Sequence, residues 1–174
     1  MQNCECGGLF KDTVQTEFDF SSFAGMPVKL TDAPAIQCSK CGRQTLRGTT
    51  INFVMDLLFP MVTSAPKLLT ADQARFLRKR MRLTQQALAG KMGIARETVA
   101  KWECGDSDSR ISQGHDLMLR AISSAHAAYI GQGLPKADIF NALKEVHEAP
   151  LSVPPPFVIE KIFAKMRSGE PLMR

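Results

Sequence analysis

The feature that most constrains the fold is the stretch at 83–105, whose spacing predicts two short helices joined by a tight turn. Thr84 is a favourable N-cap for a helix over 85–92, because its hydroxyl can accept a hydrogen bond from a free backbone N–H. Gly93 can adopt the left-handed conformation that ends such a helix. A second helix is predicted to follow over 96–103, so this part of the chain is expected to be helical.

The apolar and polar residues of this stretch are predicted to face opposite sides. Ile94, Val99 and Trp102 are expected to fill the wedge between the two helices. The polar side chains of the second helix are then left facing outward, and they are Arg96, Glu97, Thr98 and Lys101. A recognition helix presents such a surface to the major groove of DNA, although some of these side chains could instead pair with each other.

Helices are also predicted on both sides of this stretch. Thr70 and Gln73 have the spacing of a capping box, in which each side chain accepts a hydrogen bond from the other residue's backbone. A longer helix is predicted from Ile111 to Tyr129. Its apolar residues expected to face inward are Met118, Ile122 and Ala125. The region 69–133 is therefore expected to be all-helical.

The positive charge of the chain is concentrated in the same region. The 174 residues carry a formal net charge of +5, with 22 Lys and Arg against 17 Asp and Glu. Residues 66–133 hold 11 basic and 6 acidic side chains, whereas residues 1–65 hold 5 and 6. A local basic excess is typical of a nucleic-acid site, although a solvated helix face has the same composition.

Four of the five cysteines lie near the start of the chain, as two close pairs. Cys38 and Cys41 have the C-x-x-C-G form of a zinc knuckle, in which both thiolates can reach one ion. Cys4 and Cys6 form the candidate second half, with a tighter C-x-C spacing because position 3 is Asn. Four thiolates would complete a tetrahedral structural site for Zn²⁺, which a small region with few core side chains needs for stability.

Two other interpretations of these cysteines stay open at this point. A C-x-x-C pair can be a redox dithiol, but such a pair normally opens a helix after a strand, and no βαβ pattern surrounds Cys38. The thiols could also be free and buried. Cys104, the fifth cysteine, is expected to be an ordinary residue in the turn after the second helix of the 83–105 stretch.

The sequence around the cysteine pairs predicts strands and then a helix. One strand is predicted from the alternation of apolar and polar residues over 14–20, and another from Val28 and Leu30. Apolar residues with helix period follow, and they are Ile51, Val54, Met55 and Leu58. The first part of the chain is therefore expected to be β-rich with one helix.

A mixed α+β fold in several parts follows from these patterns. Residues 1–58 are predicted to form the zinc-binding domain, 59–68 a proline-flanked linker, 69–133 the helical domain and 134–174 a helical extension. Two sets of apolar residues mark helices in the extension: Ile139, Leu143 and Val146, then Phe157, Ile162, Phe163 and Met166. The extension is expected to pack against the core or to form a dimer surface.

The 83–105 stretch resembles the helix-turn-helix of the Xre and Cro repressor class. The matching residues are Leu83, Thr84, Gln85, Leu88, Ala89, Gly93, Ile94, Thr98, Val99, Trp102, Glu103 and Gly105. Together with the cysteine motif at 34–42, the chain resembles the MqsA family of antitoxins, which carry a YgiT-type zinc finger. Cys4 stands one residue later than in that family's pattern, and the residues after about 134 extend beyond its usual layout.

The resemblance implies roles for individual residues. Arg96 and Lys101 lie where this class places side chains that read guanine, and Glu97 could accept from cytosine N4. Thr98 matches a position that touches a thymine methyl group or a phosphate. Contacts to the DNA backbone are expected of polar side chains on the two preceding helices, namely Gln85, Arg75 and Arg78.

The function implied by the resemblance is that of a dimeric transcriptional repressor of the antitoxin kind. It would bind a palindromic operator with half-sites about 10 bp apart, repress its own operon, and neutralise a toxin through its zinc domain. The alternative is a regulator of a mobile element or phage that has no toxin partner. An enzyme is not expected, because no catalytic Ser, His and Asp constellation, phosphate-binding Gly loop or open metal site is evident.

Neither a secreted nor a membrane protein is expected. The polar residues 1–5 do not begin a secretory leader. The longest apolar stretch, at 53–62, is interrupted by Asp56 and Pro60 and is shorter than the roughly 20 residues that a membrane span needs. A basic cytoplasmic protein is the expectation that remains.

Overall fold

The computed structural model describes residues 3–105, 110–129 and 157–160, which fall into two compact units. The first unit contains residues 3–57 and the short segment 157–160, and the second contains the described residues from 58 to 129. Strands dominate the first unit and helices the second. The mixed fold predicted from the sequence is confirmed at this level.

The sheet of the first unit is built around one central strand. Strand β1 (Phe10–Asp19) pairs antiparallel with β2 (Val28–Cys38) along its whole length. Strands β3 (Gln44–Leu46) and β4 (Phe157–Ile159) pair with the other edge of β2, the first antiparallel and the second parallel. The most buried residues of the sheet therefore belong to β2.

The strands predicted over 14–20 and at 28–30 are confirmed, and a short helix connects them. Helix α1 (Ser21–Ala24) ends at Gly25, whose φ of 71° lies in the left-handed region that favours glycine. Phe20 is buried at the turn, where its backbone N–H donates to the carbonyl of Val28 at 2.9 Å. This contact places the two strands side by side with their apolar residues in register.

The prediction that Phe157 belongs to a helical stripe is wrong. Phe157 begins β4, lies opposite Val28, and donates its N–H to the carbonyl of Pro27 at 3.2 Å. Three consecutive apolar residues fit a helix or a strand equally well, so only the pairing with β2 decides between them. The other stripe residues of the extension lie outside the described residues, and they are Ile139, Leu143, Val146, Ile162, Phe163 and Met166.

Helix α2 (Gly48–Thr63) confirms the helix predicted after the cysteines but extends further than predicted. The linker predicted at 59–68 is helical over its first five residues, because Phe59 and Val62 are buried and their packing outweighs the break at Pro60. The hydroxyl of Thr63 also donates to the carbonyl of Phe59 at 2.8 Å. Neither α2 nor any other helix in the described part of the chain is long and apolar enough to cross a membrane.

Four helices follow α2 in the described part of the second unit, and three of them begin close to the predicted positions. They are α3 (Ala71–Arg80), α4 (Gln85–Met92), α5 (Arg96–Cys104) and α6 (Gln113–Tyr129). The capping box of α3 is confirmed, because the Thr70 side chain accepts from Gln73 N at 3.3 Å and the Gln73 side chain accepts from Thr70 N at 3.0 Å. Thr84 caps α4, and Gly93 ends it with a φ of 66°. Helix α5 packs against both α3 and α4.

The inward face predicted for α6 is wrong. Met118 is 42% exposed, Ala125 is exposed and Ile122 is only half-buried. The buried face instead contains polar and apolar residues, and they are Asp116, Leu119, Arg120, Ser123 and Ala127. The hydropathy pattern misses this face because two of its five residues are charged and neutralise each other inside the unit.

Candidate metal centre and candidate nucleic-acid interface

The sulfur atoms of four cysteines come together in the first unit. Cys4 and Cys6 lie in the turn before β1, Cys38 ends β2, and Cys41 lies in the turn before β3. Their four Sγ atoms all lie within 4.8 Å of one another, so together they could coordinate one metal ion. Pairing β1 with β2 brings the two cysteine motifs together, because Phe10 lies opposite Cys38 in the sheet.

Two of the sulfur–sulfur distances match those of a tetrahedral site with four thiolate ligands. Zinc–sulfur bonds of about 2.3 Å place two sulfurs of a tetrahedron about 3.8 Å apart. The Sγ atoms of Cys4 and Cys41 are 3.7 Å apart, and those of Cys6 and Cys38 are 3.5 Å apart. Four thiolates around one ion would leave it no open coordination position.

The early turn explains how Cys4 reaches the cluster despite the short C-x-C spacing. Cys4 N donates to the carbonyl of Gly8 at 2.9 Å, and Gly7 N donates to the carbonyl of Cys4 at 2.8 Å. Gly7 has a φ of 79°, which lets the chain reverse within a few residues. The turn thus directs both Cys4 and Cys6 towards the second pair.

The second half of the cluster has the backbone contacts of a metal-binding knuckle. Lys40 N donates to Cys38 Sγ at 3.4 Å, and Gly42 N donates to the carbonyl of Cys38 at 3.0 Å. A Cβ atom at Gly8 would lie 2.6 Å from Cys38 Sγ and 2.7 Å from Lys40 Cβ. Only glycine fits at that position without displacing the knuckle.

The thiols of the cluster influence each other strongly. Backbone N–H groups of Cys41 and Lys40 lower the pKa of the Cys38 thiol to about 6, because they stabilise its thiolate. The N–H of Gly8 favours the Cys6 thiolate, but contacts with the sulfurs of Cys41 and Cys38 outweigh it and raise the pKa of Cys6 to about 12. A bound cation would resolve this competition, because its charge stabilises all four thiolates together.

Two surface contacts join the two cysteine-bearing loops. Arg43 Nη1 donates to Glu5 Oε2 at 2.7 Å, and Lys40 Nζ donates to the carbonyl of Cys6 at 3.2 Å. Both basic side chains also lie beside a cluster that would carry net negative charge when four thiolates bind a divalent ion. Cys104 lies at the end of α5 in the other unit and takes no part in the cluster.

In the second unit, α5 divides its residues between a buried and an exposed face. Val99 and Trp102 are buried, as predicted from the sequence, together with Glu103. The outward side chains predicted to contact DNA fall on the opposite face, where Arg96, Glu97 and Lys101 are exposed and Thr98 is half-buried. The structure therefore leaves Arg96, Glu97 and Lys101 exposed on α5 and places Thr98 at the border of the buried face.

Glu103 is the centre of a polar network that links α3, α4 and α5. Its side-chain oxygens accept from Arg78 Nε at 2.6 Å, Arg78 Nη2 at 2.7 Å and Gln85 Nε2 at 3.0 Å. Arg78 Nη1 also donates to the carbonyl of Leu83 at 2.8 Å. This network fixes the position of α5 relative to the two helices before it.

Burial and pairing act on Glu103 in opposite directions. Burial raises the pKa of its carboxyl group, but hydrogen bonds from Arg78 and Gln85 outweigh burial, so the net effect lowers that pKa. The hydrogen bond to Glu103 raises the pKa of the Arg78 guanidinium. Both groups are therefore charged at neutral pH and form an ion pair that is largely shielded from solvent.

The predicted backbone-binding residues are less available than the sequence suggests. The Arg78 side chain is only 11% exposed, and the Glu103 carboxylate engages it on two nitrogens. Arg75 donates to Asp72 Oδ1 at 3.1 Å and to the backbone carbonyl of Glu103. Gln85 donates its amide to Glu103 as well. These three residues hold α5 in place through contacts within the protein.

Sequence reasoning missed Glu103 as a site residue, although it belongs to the matched pattern. The signal that could have found it is an acidic residue on the same helix face as Trp102, which calls for a basic partner inside the unit. Arg78 on α3 is that basic partner, and Gln85 on α4 donates a further hydrogen bond.

Comparison of the chain with protein-family models, with curated proteins and with solved structures found no match to any of them.

Proposed function

We propose that this chain binds double-stranded DNA through α5 and represses transcription. The observation that carries the proposal is the division of α5 into an anchored face and a free polar face. Glu103 and Trp102 anchor the helix inside the second unit, while Arg96, Glu97 and Lys101 are exposed together on its other side. A helix that reads base edges in the major groove needs this combination of rigid support and outward polar side chains.

Each exposed residue has a DNA contact for which its chemistry is suited. Arg96 can donate two hydrogen bonds to guanine O6 and N7, and Lys101 can donate to guanine or to a phosphate. Glu97 can accept from cytosine N4, and Thr98 can touch a thymine methyl group or a phosphate. The turn between α4 and α5 would then approach the DNA backbone. A homodimer on a palindromic operator is part of this proposal.

Within this proposal the metal of the first unit is Zn²⁺ and its role is structural. Four cysteine sulfurs at zinc-like spacing support this choice, because soft thiolates select zinc over harder cations such as magnesium. The first unit would bind a protein partner, and an MqsA-like antitoxin that acts in the cytoplasm is the role we favour. The partner would be a toxin whose gene neighbours that of this chain.

A second candidate function keeps DNA binding and removes the toxin. In that case the chain is a zinc-containing regulator of a mobile element or phage. The same exposed face of α5 supports both candidates, so DNA binding alone does not separate them. An enzymatic role has less support, because the four thiolates would fill the coordination sphere of the metal and leave no position for a substrate.

DNA binding is tested by fluorescence anisotropy on duplexes selected from a random library by the zinc-loaded chain. Arg96→Ala and Lys101→Ala should each weaken binding to the selected sequence about tenfold or more, since a good base contact contributes about 1–3 kcal/mol. Lys29→Ala, an exposed lysine on β2, is the matched control and should bind normally. Failure to select any preferred sequence, or equal binding by all four proteins, would contradict the proposal.

The toxin role is tested by co-expressing the chain with the product of the adjacent open reading frame and measuring growth. If the antitoxin proposal holds, the neighbour arrests growth alone, and the wild-type chain and Arg96→Ala both rescue it. Cys41→Ser should fail to rescue, whereas Cys104→Ser, outside the metal cluster, should succeed. A harmless or unbound neighbour would leave the regulator without a toxin as the supported function.

A further inference from the structure

The first unit has a long strand edge that no described strand covers. Within the described residues β1 pairs with β2 alone, and β3 and β4 lie on the opposite edge of β2. The outer edge of β1 therefore presents backbone N–H and C=O groups along Phe10–Asp19. Strand edges of this length pair readily with another strand unless charge, proline or a bulge prevents it, so the side chains of β1 decide what it accepts.

The side chains of β1 have an unusual arrangement around its middle. Val14 is 51% exposed, which is a large apolar exposure for the centre of a strand. Lys11 and Glu17 lie three residues on either side and are exposed, and no ion pair joins them to another side chain in the part of the chain that the structure describes. Phe10 and Phe18 lie four residues on either side and are half-buried.

This arrangement is self-complementary in an antiparallel pair. Two identical antiparallel strands can pair about a twofold axis only if one residue lies directly opposite its own copy. The reason is that successive residues direct their backbone groups to opposite edges of the strand. That residue is said to lie on the axis. An axis at Val14 places Lys11 of each copy opposite Glu17 of the other, and Phe10 opposite Phe18. Opposite charges and aromatic pairs are both stabilising directly across a strand pair.

The neighbouring registers are less favourable. An axis at Thr13 leaves both charges and both aromatic rings without complementary partners. An axis at Gln15 pairs Lys11 with Asp19, but it places the ring of Phe18 opposite an acidic side chain. The sequence of β1 therefore favours one register, which is the property expected of an edge that recognises its own copy.

We propose that β1 is the interface for a second copy of this chain, paired antiparallel with Val14 on the twofold axis. The charge pattern selects this occupant, because the copy supplies the complementary charge at both ends of the strand. A single strand pair buries much less surface than a standard stable interface, which buries about 1,600 Å². Self-association is therefore expected to be weak and to depend on concentration. The inference concerns the first unit and stands whether or not the second unit binds DNA.

The test is sedimentation equilibrium of the full zinc-loaded chain, without DNA, over a wide concentration range. Lys11→Glu places two acidic side chains opposite each other, and Glu17→Lys places two basic ones. Each single variant should raise the dissociation constant of self-association about tenfold, since two cross-strand pairs change from attraction to repulsion. The double variant, Lys11→Glu with Glu17→Lys, exchanges the charges and should restore wild-type association.

Mixing the two single variants provides a second measurement, in which tighter rather than weaker association is expected. One variant then carries two acidic side chains and the other two basic ones, so the mixture should associate more tightly than either variant alone. Lys79 is an exposed residue of α3. Lys79→Glu changes the net charge as Lys11→Glu does, and it should leave self-association unchanged. Zinc content near one per chain confirms that each variant is folded in the first unit.

Three outcomes would overturn the inference. The first is a wild-type chain that stays monomeric throughout, and the second is single variants that associate as the wild type does. The third is a charge reversal that abolishes binding to the neighbouring gene product while self-association is unchanged, which would assign this edge to a different protein. None of these outcomes depends on DNA binding, so the inference and the proposed function can fail independently.

Discussion

Arg120 and Asp116 form an ion pair one turn apart on α6, with 2.7 Å between Arg120 Nε and Asp116 Oδ2, and both side chains are fully buried. The Asp116 carboxylate also accepts from Leu69 N at 2.8 Å. The guanidinium donates at 2.6–2.8 Å to three backbone carbonyls, those of Thr63, Ala65 and Lys67. One buried pair therefore binds four backbone groups between the end of α2 and the start of α3.

Removing the guanidinium should destabilise the second unit strongly. Arg120→Met leaves the buried Asp116 charge without its counter-ion and removes the donor from three backbone carbonyls, which we expect to cost about 3–5 kcal/mol. Trp102 is the sole tryptophan of the chain, so its fluorescence during urea unfolding reports on this unit. Arg110→Met, at an exposed position, should change the stability little, and a similar loss in both variants would refute the role given to Arg120.

The Glu103 network predicts a dependence of stability on acid. Because pairing lowers the pKa of Glu103 in the folded state, its contribution is complete well above the unfolded value of about 4.3 and is lost as the pH falls through the folded value. In Glu103→Gln this part of the acid dependence should disappear, and the stability at pH 7 should fall by about 1–3 kcal/mol. Urea titrations of Trp102 fluorescence between pH 7 and pH 3 measure both effects. Parallel curves for the wild type and the variant would show that Glu103 is not the responsible group.

Metal removal should unfold the first unit. The purified chain is expected to contain one Zn²⁺ per molecule, and a strong chelator should abolish the β-sheet signal in circular dichroism, because structural zinc contributes directly to folding. Cys41→Ser should lose the metal, whereas Cys104→Ser should retain it. Elemental analysis and far-ultraviolet spectra distinguish the variants. A chain that keeps its sheet without metal would show that β1 and β2 fold on their own.

Gly8 should tolerate no side chain. A Cβ atom there would lie 2.6 Å from the sulfur of Cys38, closer than nonbonded atoms can approach, so Gly8→Ala must displace the knuckle or the turn. We expect a zinc affinity at least tenfold weaker, measured by competition with a chromogenic chelator. Gly48→Ala is the matched control, because nothing lies within 4 Å of a Cβ atom at that position. Equal affinities in the two variants would disprove the close approach.

Local signals in the sequence determined much of the second unit. Thr70, Thr84 and Gly93 have side chains or backbone preferences that act within one turn of a helix. Helix α3 therefore begins, and α4 begins and ends, where the sequence predicts. The spacing of Cys38 and Cys41 likewise identified one half of the cysteine cluster, because two thiols on one short loop come close together without help from the rest of the fold.

Only the tertiary structure decided which face of α6 is buried, because a helix pattern cannot reveal that Arg120 and Asp116 neutralise each other and satisfy a distant segment. It also decided that Phe157 is in a strand, since a strand is defined by the neighbour with which it pairs and Val28 is far away in sequence. The sequence predicted Arg78 as a contact to the DNA backbone, whereas the structure pairs its guanidinium with Glu103. In each case the physical reason is the same: short-range propensity acts within a few residues, whereas burial and charge pairing join residues that only the folded chain brings together.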